Sequence, residues 1–208
     1  VREASNRKDF VKAVKKQTGL DLHIISGQTE AEWIAKGVLK FEPHLLGRYV
    51  LIDIGGGSTE LSFCKDRKVL SSISLPLGAA RLSQLFSMTH IPDMRKHVQK
   101  VLKRHHPFLH KHKCDFAIGS SGSIRTMVKF SQKHWVKIKH ENRPNISRAT
   151  LSYWVENLLQ MNDRQIRALP GMEQKRVDLM IPAAVLLEEL IVFLNVGKLE
   201  STEYSLRD

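Results

Sequence analysis

The chain has 208 residues, of which 42% are hydrophobic and 26% are charged, and its formal net charge is +12. This length and balance are typical of a globular protein with one substantial core or two small lobes, and not of a disordered chain. The longest apolar stretch, residues 181–196, contains Pro182 and two glutamates, so we predict no membrane-spanning segment and no membrane partner. Cys64 and Cys114 lack metal-ligand spacing, which favours a reducing, cytoplasmic location.

The positive charge is concentrated in one part of the chain. Residues 95–148 contain 14 lysines and arginines against two acidic residues, so this segment alone accounts for the net charge. A local positive field of this kind attracts polyanions such as a phosphate polymer, a highly phosphorylated nucleotide or nucleic acid. A basic face that only contacts solvent is the alternative.

The chain begins with two predicted helices. The first begins at Asn6 and ends at Gly19, and residues 22–25 form a short apolar strand. Ser26 and Gly27 then lead into the second helix, which carries Glu30 on its first turn. An acid at this position stabilises the helix dipole, but it is also a carboxylate at a strand-to-helix junction, where α/β proteins tend to place their sites.

A glycine-rich stretch follows a short connection at residues 43–47, which we predict to be a hinge or lobe boundary. The stretch, LIDIGGGSTELSF, occupies residues 51–63 and indicates two strands joined by a turn. The backbone N–H groups of residues 55–57 could approach an anion closely, since glycine has no Cβ and tolerates positive φ. Asp53 and Glu60 would flank that anion, and their carboxylates could bind Mg²⁺. An ordinary glycine-rich hairpin has the same residue pattern and is the alternative.

The remaining segments predict further alternation of strands and helices. A third strand at residues 69–75, an amphipathic helix and a basic helical region interrupted at Pro107 come first. The apolar run at residues 116–118 then ends in GSSGS, a second position where an anion could meet a helix N-terminus. Pro182 is predicted to kink or split a long apolar helix, and the chain closes on one more strand.

Seven motifs occur in order along almost the whole chain: VREASNRKDF, IISGQTEAEW, LIDIGGGSTEL, SLPLGAARL, GSSGSIRTM, RVDLMIPAA and the closing SLRD. Together they resemble the exopolyphosphatase and guanosine pentaphosphate phosphatase family. The resemblance implies an α/β, actin-like ATPase or ribonuclease H-like fold: a mixed sheet flanked by helices, with two lobes and an active site in the cleft between them. Hydrolysis of the terminal phosphoanhydride of polyphosphate or guanosine pentaphosphate, with Mg²⁺ or another divalent cation, is the implied activity.

The resemblance also implies roles for single residues. The family's catalytic glutamate corresponds to Glu30, and the arginine that faces its phosphate cleft corresponds to Arg2. Asp53 and Glu60 correspond to metal-site residues. The phosphate-binding positions of the same motif correspond to Gly55, Gly56, Gly57 and Ser58.

Two departures from the family pattern are visible. The first phosphate loop of the family precedes the first residue here, so we expect residues 1–42 to be the remnant of a largely missing first lobe and residues 43–208 to be the second lobe. Glu32 also stands where the family commonly has arginine. A kinase of the same superfamily, a non-catalytic polyanion binder and an inactive truncated lobe remain alternatives. A homodimer is left open, and nucleic acid is not an expected partner.

Overall fold

The chain forms a six-stranded mixed sheet with helices on both faces. The computed structural model describes residues 2–87, 90–134 and 143–205, so the end of the closing SLRD motif lies outside the described residues. In chain order the elements are α1 (Arg7–Thr18), α2 (Gly27–Phe41), β1 (Arg48–Ile54), β2 (Thr59–Lys65), β3 (Lys68–Leu75), α3 (Ala79–Leu85), α4 (Ile91–Arg104), α5 (His106–Leu109), β4 (Phe116–Gly119), α6 (Gly122–His134), β5 (Asn145–Ser147), α7 (Arg148–Gln160), α8 (Asp163–Arg167), α9 (Val177–Phe193) and β6 (Lys198–Ser201).

The strand order in the sheet is β3-β2-β1-β4-β6-β5. Strands β1, β2 and β3 form an antiparallel meander, as the glycine turn and the third apolar run predict. Strands β4 and β6 run parallel to β1, and helices make the connections that parallel neighbours require. The predicted mixed sheet flanked by helices is confirmed.

The two faces of the sheet are covered unequally. Helix α2 packs on one face, where Ala35, Val38 and Leu39 meet Tyr49 and Leu51 in a small apolar cluster. The opposite face carries the larger core, to which α3, α4, α6, α7 and α9 contribute. Because successive residues of a strand point to opposite faces, the side of each polar residue can be read from its buried neighbours. Among the described residues, no helix is both long and apolar enough to cross a membrane.

The C-terminal end of α2 is attached to the end of the described chain. The rings of Phe41 and Tyr204 stack with centroids 4.9 Å apart. Glu42 accepts hydrogen bonds from Arg143 Nε at 3.1 Å and from Thr202 Oγ1 at 2.7 Å. These contacts hold α2 to the sheet across the predicted hinge, whereas the division into two lobes at that point stays a prediction.

One local prediction is wrong, and for a second the structure contradicts one of its two alternatives. Residues 22–25 form no strand, because Leu22 and Ile24 are exposed and have no neighbouring strand to pair with in the described sheet. Pro182 does not split the long apolar helix, since α9 is continuous through it. Burial of α9 among helices α3, α4, α6, α7 and α8 outweighs the one backbone hydrogen bond that a proline removes.

The β1–β2 turn is held by the segment that leads into α3. The carbonyl of Gly55 accepts from Ala79 N at 3.0 Å, and the carbonyl of Gly56 accepts from Arg81 N at 2.9 Å. The two backbones come so close that a Cβ at Gly78 would lie 2.4 Å from the Gly56 carbonyl oxygen. A glycine at position 78 therefore allows the backbone of this segment to approach the backbone of the β1–β2 turn closely.

We expect Gly78→Ala to destabilise the fold by about 1–3 kcal/mol, since a methyl group there forces the backbone of the turn to move. Urea unfolding of the variant and the wild type measures the difference. Gly197→Ala is the matched control, because a Cβ at Gly197 meets no atom within 4 Å among the described residues. Equal losses of stability in the two variants would contradict the contact.

Candidate active site

Three polar residues form a row across the first three strands. Asp53 on β1 is paired with Glu60 on β2, and Glu60 is paired with Ser74 on β3. All three lie on the face that α2 covers. Residues two positions apart on a strand share a face, so Asp53 lies on the face of Leu51, and Glu60 lies on the face of Ser62. The predicted Asp53–Glu60 pair is thus brought together by strand register.

Glu60 is a buried carboxylate, only 4% exposed. Its Oε1 accepts hydrogen bonds from Ser58 Oγ and Ser74 Oγ, both at 2.7 Å, and from Arg2 Nη2 at 3.3 Å. Three donors on one oxygen offset much of the cost of burying the charge. Burial nevertheless raises the pKa of Glu60, the two serine hydroxyls oppose the shift, and the carboxylates of Glu30 and Asp53 add to it.

Arg2 connects the N-terminal segment to this row. Its Nη1 donates to Glu30 Oε2 at 2.7 Å, and its Nη2 donates to Ser58 Oγ at 2.9 Å as well as to Glu60. One guanidinium therefore lies between two of the predicted site carboxylates. It supplies positive charge to both of these acids.

Glu30 reaches the site because the N-terminus of α2 lies directly over the row. The Ser26 side chain caps the helix by accepting from Thr29 N at 3.0 Å. Gly27 packs so closely on β3 that a Cβ there would lie 2.4 Å from the Cβ of Ser74. This close approach places the first turn of α2, and with it Glu30, beside the sheet.

Asp53 is held by the second glycine-serine loop. Ser120, which follows β4 and is 1% exposed, donates its hydroxyl proton to Asp53 Oδ2 at 2.6 Å. Burial raises the pKa of Asp53, the Ser120 hydrogen bond opposes the rise, and the nearby Glu30 carboxylate adds to it. Arg125 and Arg176 oppose it from further away. The folded protein thus contains a carboxylate whose charge is incompletely compensated.

The glycine turn differs from its prediction in one respect. None of Gly55, Gly56 and Gly57 has positive φ, and the Gly55 amide already donates to Ser58 O at 2.9 Å. In the part of the chain that the structure describes, the exposed amides of Gly56 and Gly57 have no hydrogen-bond acceptor. These two amides, rather than all three, are available to an anion.

The carboxylates fit a hard divalent cation. Oxygen atoms are the donors that Mg²⁺ prefers, and raised pKa values at Asp53 and Glu60 indicate negative charge that a cation would relieve. No three metal-ligating side chains converge within the described residues. Mg²⁺ usually keeps several waters and binds one or two carboxylates together with substrate phosphates, so such a cluster is not required.

Several site residues escaped the sequence analysis. Ser74 and the role of Ser120 toward Asp53 depend on strand register, although the alternating serines of β3 were a visible signal. Arg81 was also missed: its Nε donates to the Gly57 carbonyl at 2.8 Å, and its guanidinium pairs with Glu3. Arg176 lies against Gly122 in the second loop, where a Cβ would meet its guanidinium.

Comparison with known proteins shows to which family the chain is similar. The sequence model of the Ppx/GppA phosphatase family matches residues 1–208. A candidate exopolyphosphatase of Haemophilus influenzae is 28% identical over 214 residues, which cover 100% of this chain and 64% of that protein. Exopolyphosphatase 1 of Mycobacterium leprae is 38% identical over 96 residues, which cover 46% of this chain and 28% of its own length. The chain therefore spans less than two thirds of these relatives.

Solved structures show the same fold. An exopolyphosphatase from Cytophaga hutchinsonii superposes with a TM-score of 0.83 at 24% identity, covering 99% of this chain and 69% of that one. The Ppx/GppA enzyme of Aquifex aeolicus superposes with a TM-score of 0.76 at 21% identity, covering 99% of this chain and 70% of that one. The predicted fold class is therefore confirmed.

We expect Asp53→Asn to raise the melting temperature at neutral pH in the presence of a chelator. The folded state raises the pKa of this carboxyl, so its contribution to stability is complete below the unfolded-state pKa and is lost as pH rises through the folded-state pKa. Asparagine keeps an acceptor for Ser120 without the charge. The gain in melting temperature should therefore vanish at acidic pH, where the carboxyl is protonated in both states.

Asp66→Asn is the control for this substitution, because Asp66 is exposed and its Oδ1 accepts only a backbone hydrogen bond, from Gly47 N, among the described residues. Thermal melts followed by circular dichroism from acidic to neutral pH provide the measurement. A lower melting temperature for Asp53→Asn at neutral pH would show that the Asp53 charge is well compensated in the fold.

Proposed function

Since the chain belongs to the Ppx/GppA phosphatase family, we propose that it hydrolyses the terminal phosphoanhydride bond of inorganic polyphosphate and releases orthophosphate. The observation that carries this proposal is that Arg2 joins Glu30 to Glu60, and that Asp53 is paired with Glu60 across the strands, next to the exposed amides of the glycine turn. Phosphoryl transfer needs mainly positioning and charge neutralisation, and these groups supply both.

Polyphosphate is favoured over guanosine pentaphosphate, because one relative of this chain is an exopolyphosphatase and another is a candidate exopolyphosphatase. Both substrates present the same terminal anhydride. The groups of the candidate active site would contact only that end, so they would serve either substrate equally. Selectivity between the two substrates would depend on contacts with the rest of the molecule.

In the proposed reaction, Glu30 orients the attacking water and accepts its proton. The water oxygen forms a new bond to the terminal phosphorus, and the bond from that phosphorus to the bridging oxygen breaks. The electron pair stays on the shortened chain, which leaves with a new terminal phosphate. The amides of Gly56 and Gly57 hold the oxygens of the reacting phosphate, and the Ser58 hydroxyl joins them by turning its proton from Glu60 to the phosphate.

Arg2 changes partners during binding. Its guanidinium is hydrogen-bonded to Glu30 and Glu60. An incoming phosphate offers a stronger bidentate partner for the same fork of donors. Transfer of Arg2 to the phosphate would free Glu30 Oε2 for the attacking water and so couple substrate binding to activation of the base.

A divalent cation, Mg²⁺ in our proposal, would be held by Asp53 and Glu60 and would neutralise charge on the phosphate oxygens. Ser120 keeps Asp53 in position through Oδ2, and Ser74 keeps Glu60 in position through Oε1. The second oxygen of each carboxylate accepts no hydrogen bond from a described side chain, so it can take a metal-bound water.

We expect Glu30→Gln to lower the rate of phosphate release from polyphosphate by at least about 10²-fold, because glutamine cannot accept the proton. The amide oxygen still accepts from Arg2, so the melting temperature should change little. Phosphate release from polyphosphate and from guanosine pentaphosphate, with and without Mg²⁺, measures the effect.

Glu156→Gln, the same change on an exposed position of α7, is the control and should leave the rate unchanged. A rate unaffected by Glu30→Gln would remove this residue from the chemistry. Formation of ATP when ADP is added to polyphosphate, without orthophosphate release, would instead favour the phosphotransferase alternative.

We expect Mg²⁺ to raise the melting temperature of the wild type and to leave that of Asp53→Asn nearly unchanged, because a bound cation stabilises only the form that binds it. Sodium chloride at matched ionic strength separates screening from binding. Equal stabilisation of both proteins by Mg²⁺ would place the cation elsewhere.

A further inference from the structure

Helix α4 presents a basic face that lies apart from the candidate active site. An open cleft of about 510 Å³ is lined by Lys96, Gln99, Lys100, Lys103 and Arg104. Helix α4 packs through Met94, Val98 and Leu102 into the core on one side of the sheet. Asp53, Glu60 and Ser74 lie on the other side, so no ligand group can contact both sets at once.

The cations of this region fall into two classes. Arg95 faces inward, where it donates to Glu188 Oε2 at 2.6 Å and to Glu189 Oε1 at 2.7 Å. Arg143 is paired with Glu42 and Glu200. These arginines stabilise contacts between elements, so they explain part of the basic character of residues 95–148.

The cations that line the cleft are not used in this way. Lys96 lies 3.7 Å from Asp93, and both side chains are more than half exposed. Lys100, Lys103 and Arg104 are exposed and pair with no carboxylate in the described ranges. Cations in the last turn favour the helix dipole, which accounts for Lys103 and Arg104 but not for Lys96 and Lys100.

Their spacing is unfavourable for an isolated helix. Lys96, Lys100 and Arg104 are each four residues apart, and Lys103 is three residues from Lys100, so like charges are neighbours along one face. The row extends over about 12 Å of the helix axis. A linear anion with closely spaced charges lying along this row would relieve the repulsion.

We propose that this face of α4 is a second binding site for the phosphate chain of inorganic polyphosphate. The described residues that line the cleft include no aromatic side chain on which nucleic-acid bases would stack. The proposal rests on the proposed function for its choice of anion. A long chain held at α4 raises the effective concentration of its free end at the active site, which favours long substrates over short ones.

The test compares two variants with equal loss of charge. The first replaces Lys100, Lys103 and Arg104 with glutamine, and the control replaces three exposed lysines of α2, β2 and β3 with glutamine: Lys36, Lys65 and Lys68. Both should melt at or above the wild-type temperature. Binding of long-chain polyphosphate is measured as a function of salt concentration, in the Glu30→Gln background to prevent turnover.

We expect the α4 variant to bind long-chain polyphosphate at least about tenfold more weakly at low salt, with a salt slope smaller by about two, as loss of three phosphate contacts requires. The control variant should bind nearly as the wild type does. Equal affinity of the two variants, or absence of wild-type binding, would overturn the proposal. Equal competition by single-stranded RNA of the same charge would overturn the choice of polyphosphate.

Activity separates this inference from the proposed function. With Glu30 intact, the α4 variant should release phosphate from tripolyphosphate at the wild-type rate, because that short chain cannot reach from the active site to α4. Its KM for long-chain polyphosphate should rise. If the wild type binds long chains through α4 but hydrolyses none, the proposed hydrolysis fails and the second site stands.

Discussion

The burial of the Glu60 carboxylate on the α2 face of the sheet is the constraint on which the rest of the site depends. A charged group that is 4% exposed must be surrounded by donors, and Ser58, Ser74 and Arg2 provide them. Each donor comes from a different part of the chain. Satisfying this one oxygen therefore fixes the glycine turn, strand β3 and the N-terminal segment relative to one another.

The same constraint explains the position of α2. Gly27 allows the helix to approach β3, and Ser62 donates from the sheet to the Ala31 carbonyl of the helix at 3.1 Å. Polar contacts hold the N-terminal half of α2 and apolar contacts hold its C-terminal half. Glu30 is thus attached to a rigid element, as the role proposed for it in orienting a water molecule would require.

Sequence reasoning located this site because its main parts are local. The GGGS turn, with an acid on the strand before it and another on the strand after it, brings Asp53 and Glu60 together through a hairpin register that alternation and turn length determine. Glu30 was selected for its position at a predicted strand-to-helix junction, whereas its catalytic role and the role of Arg2 came from the family resemblance. Ser74, Ser120 and Arg81 could not be found in this way, because their contacts depend on how β3, β4 and the α3 segment assemble around the hairpin.

Local errors had the same origin. Residues 22–25 have the composition of a strand, but a strand forms only where a partner edge or a core receives it, and Leu22 and Ile24 find neither among the described residues. Pro182 is the converse case. A proline disfavours a continuous helix, but dense packing around α9 keeps the helix continuous. Local propensity describes the chain correctly only where tertiary contacts do not compete with it.

The sheet also separates two electrostatic environments. On the α2 face, Arg2 pairs with Glu30 and Glu60, while burial and the nearby Glu30 carboxylate raise the pKa of Asp53, so this side carries negative charge that is incompletely compensated. On the opposite side, α4 carries more cations than the acids with which they form ion pairs, which are Asp93, Glu188 and Glu189. The α4 side would attract a polyanion first, whereas the proposed hydrolysis of its terminal phosphate requires the α2 side. The layer of strands between them keeps the basic residues from pairing with the site carboxylates, which would otherwise neutralise both.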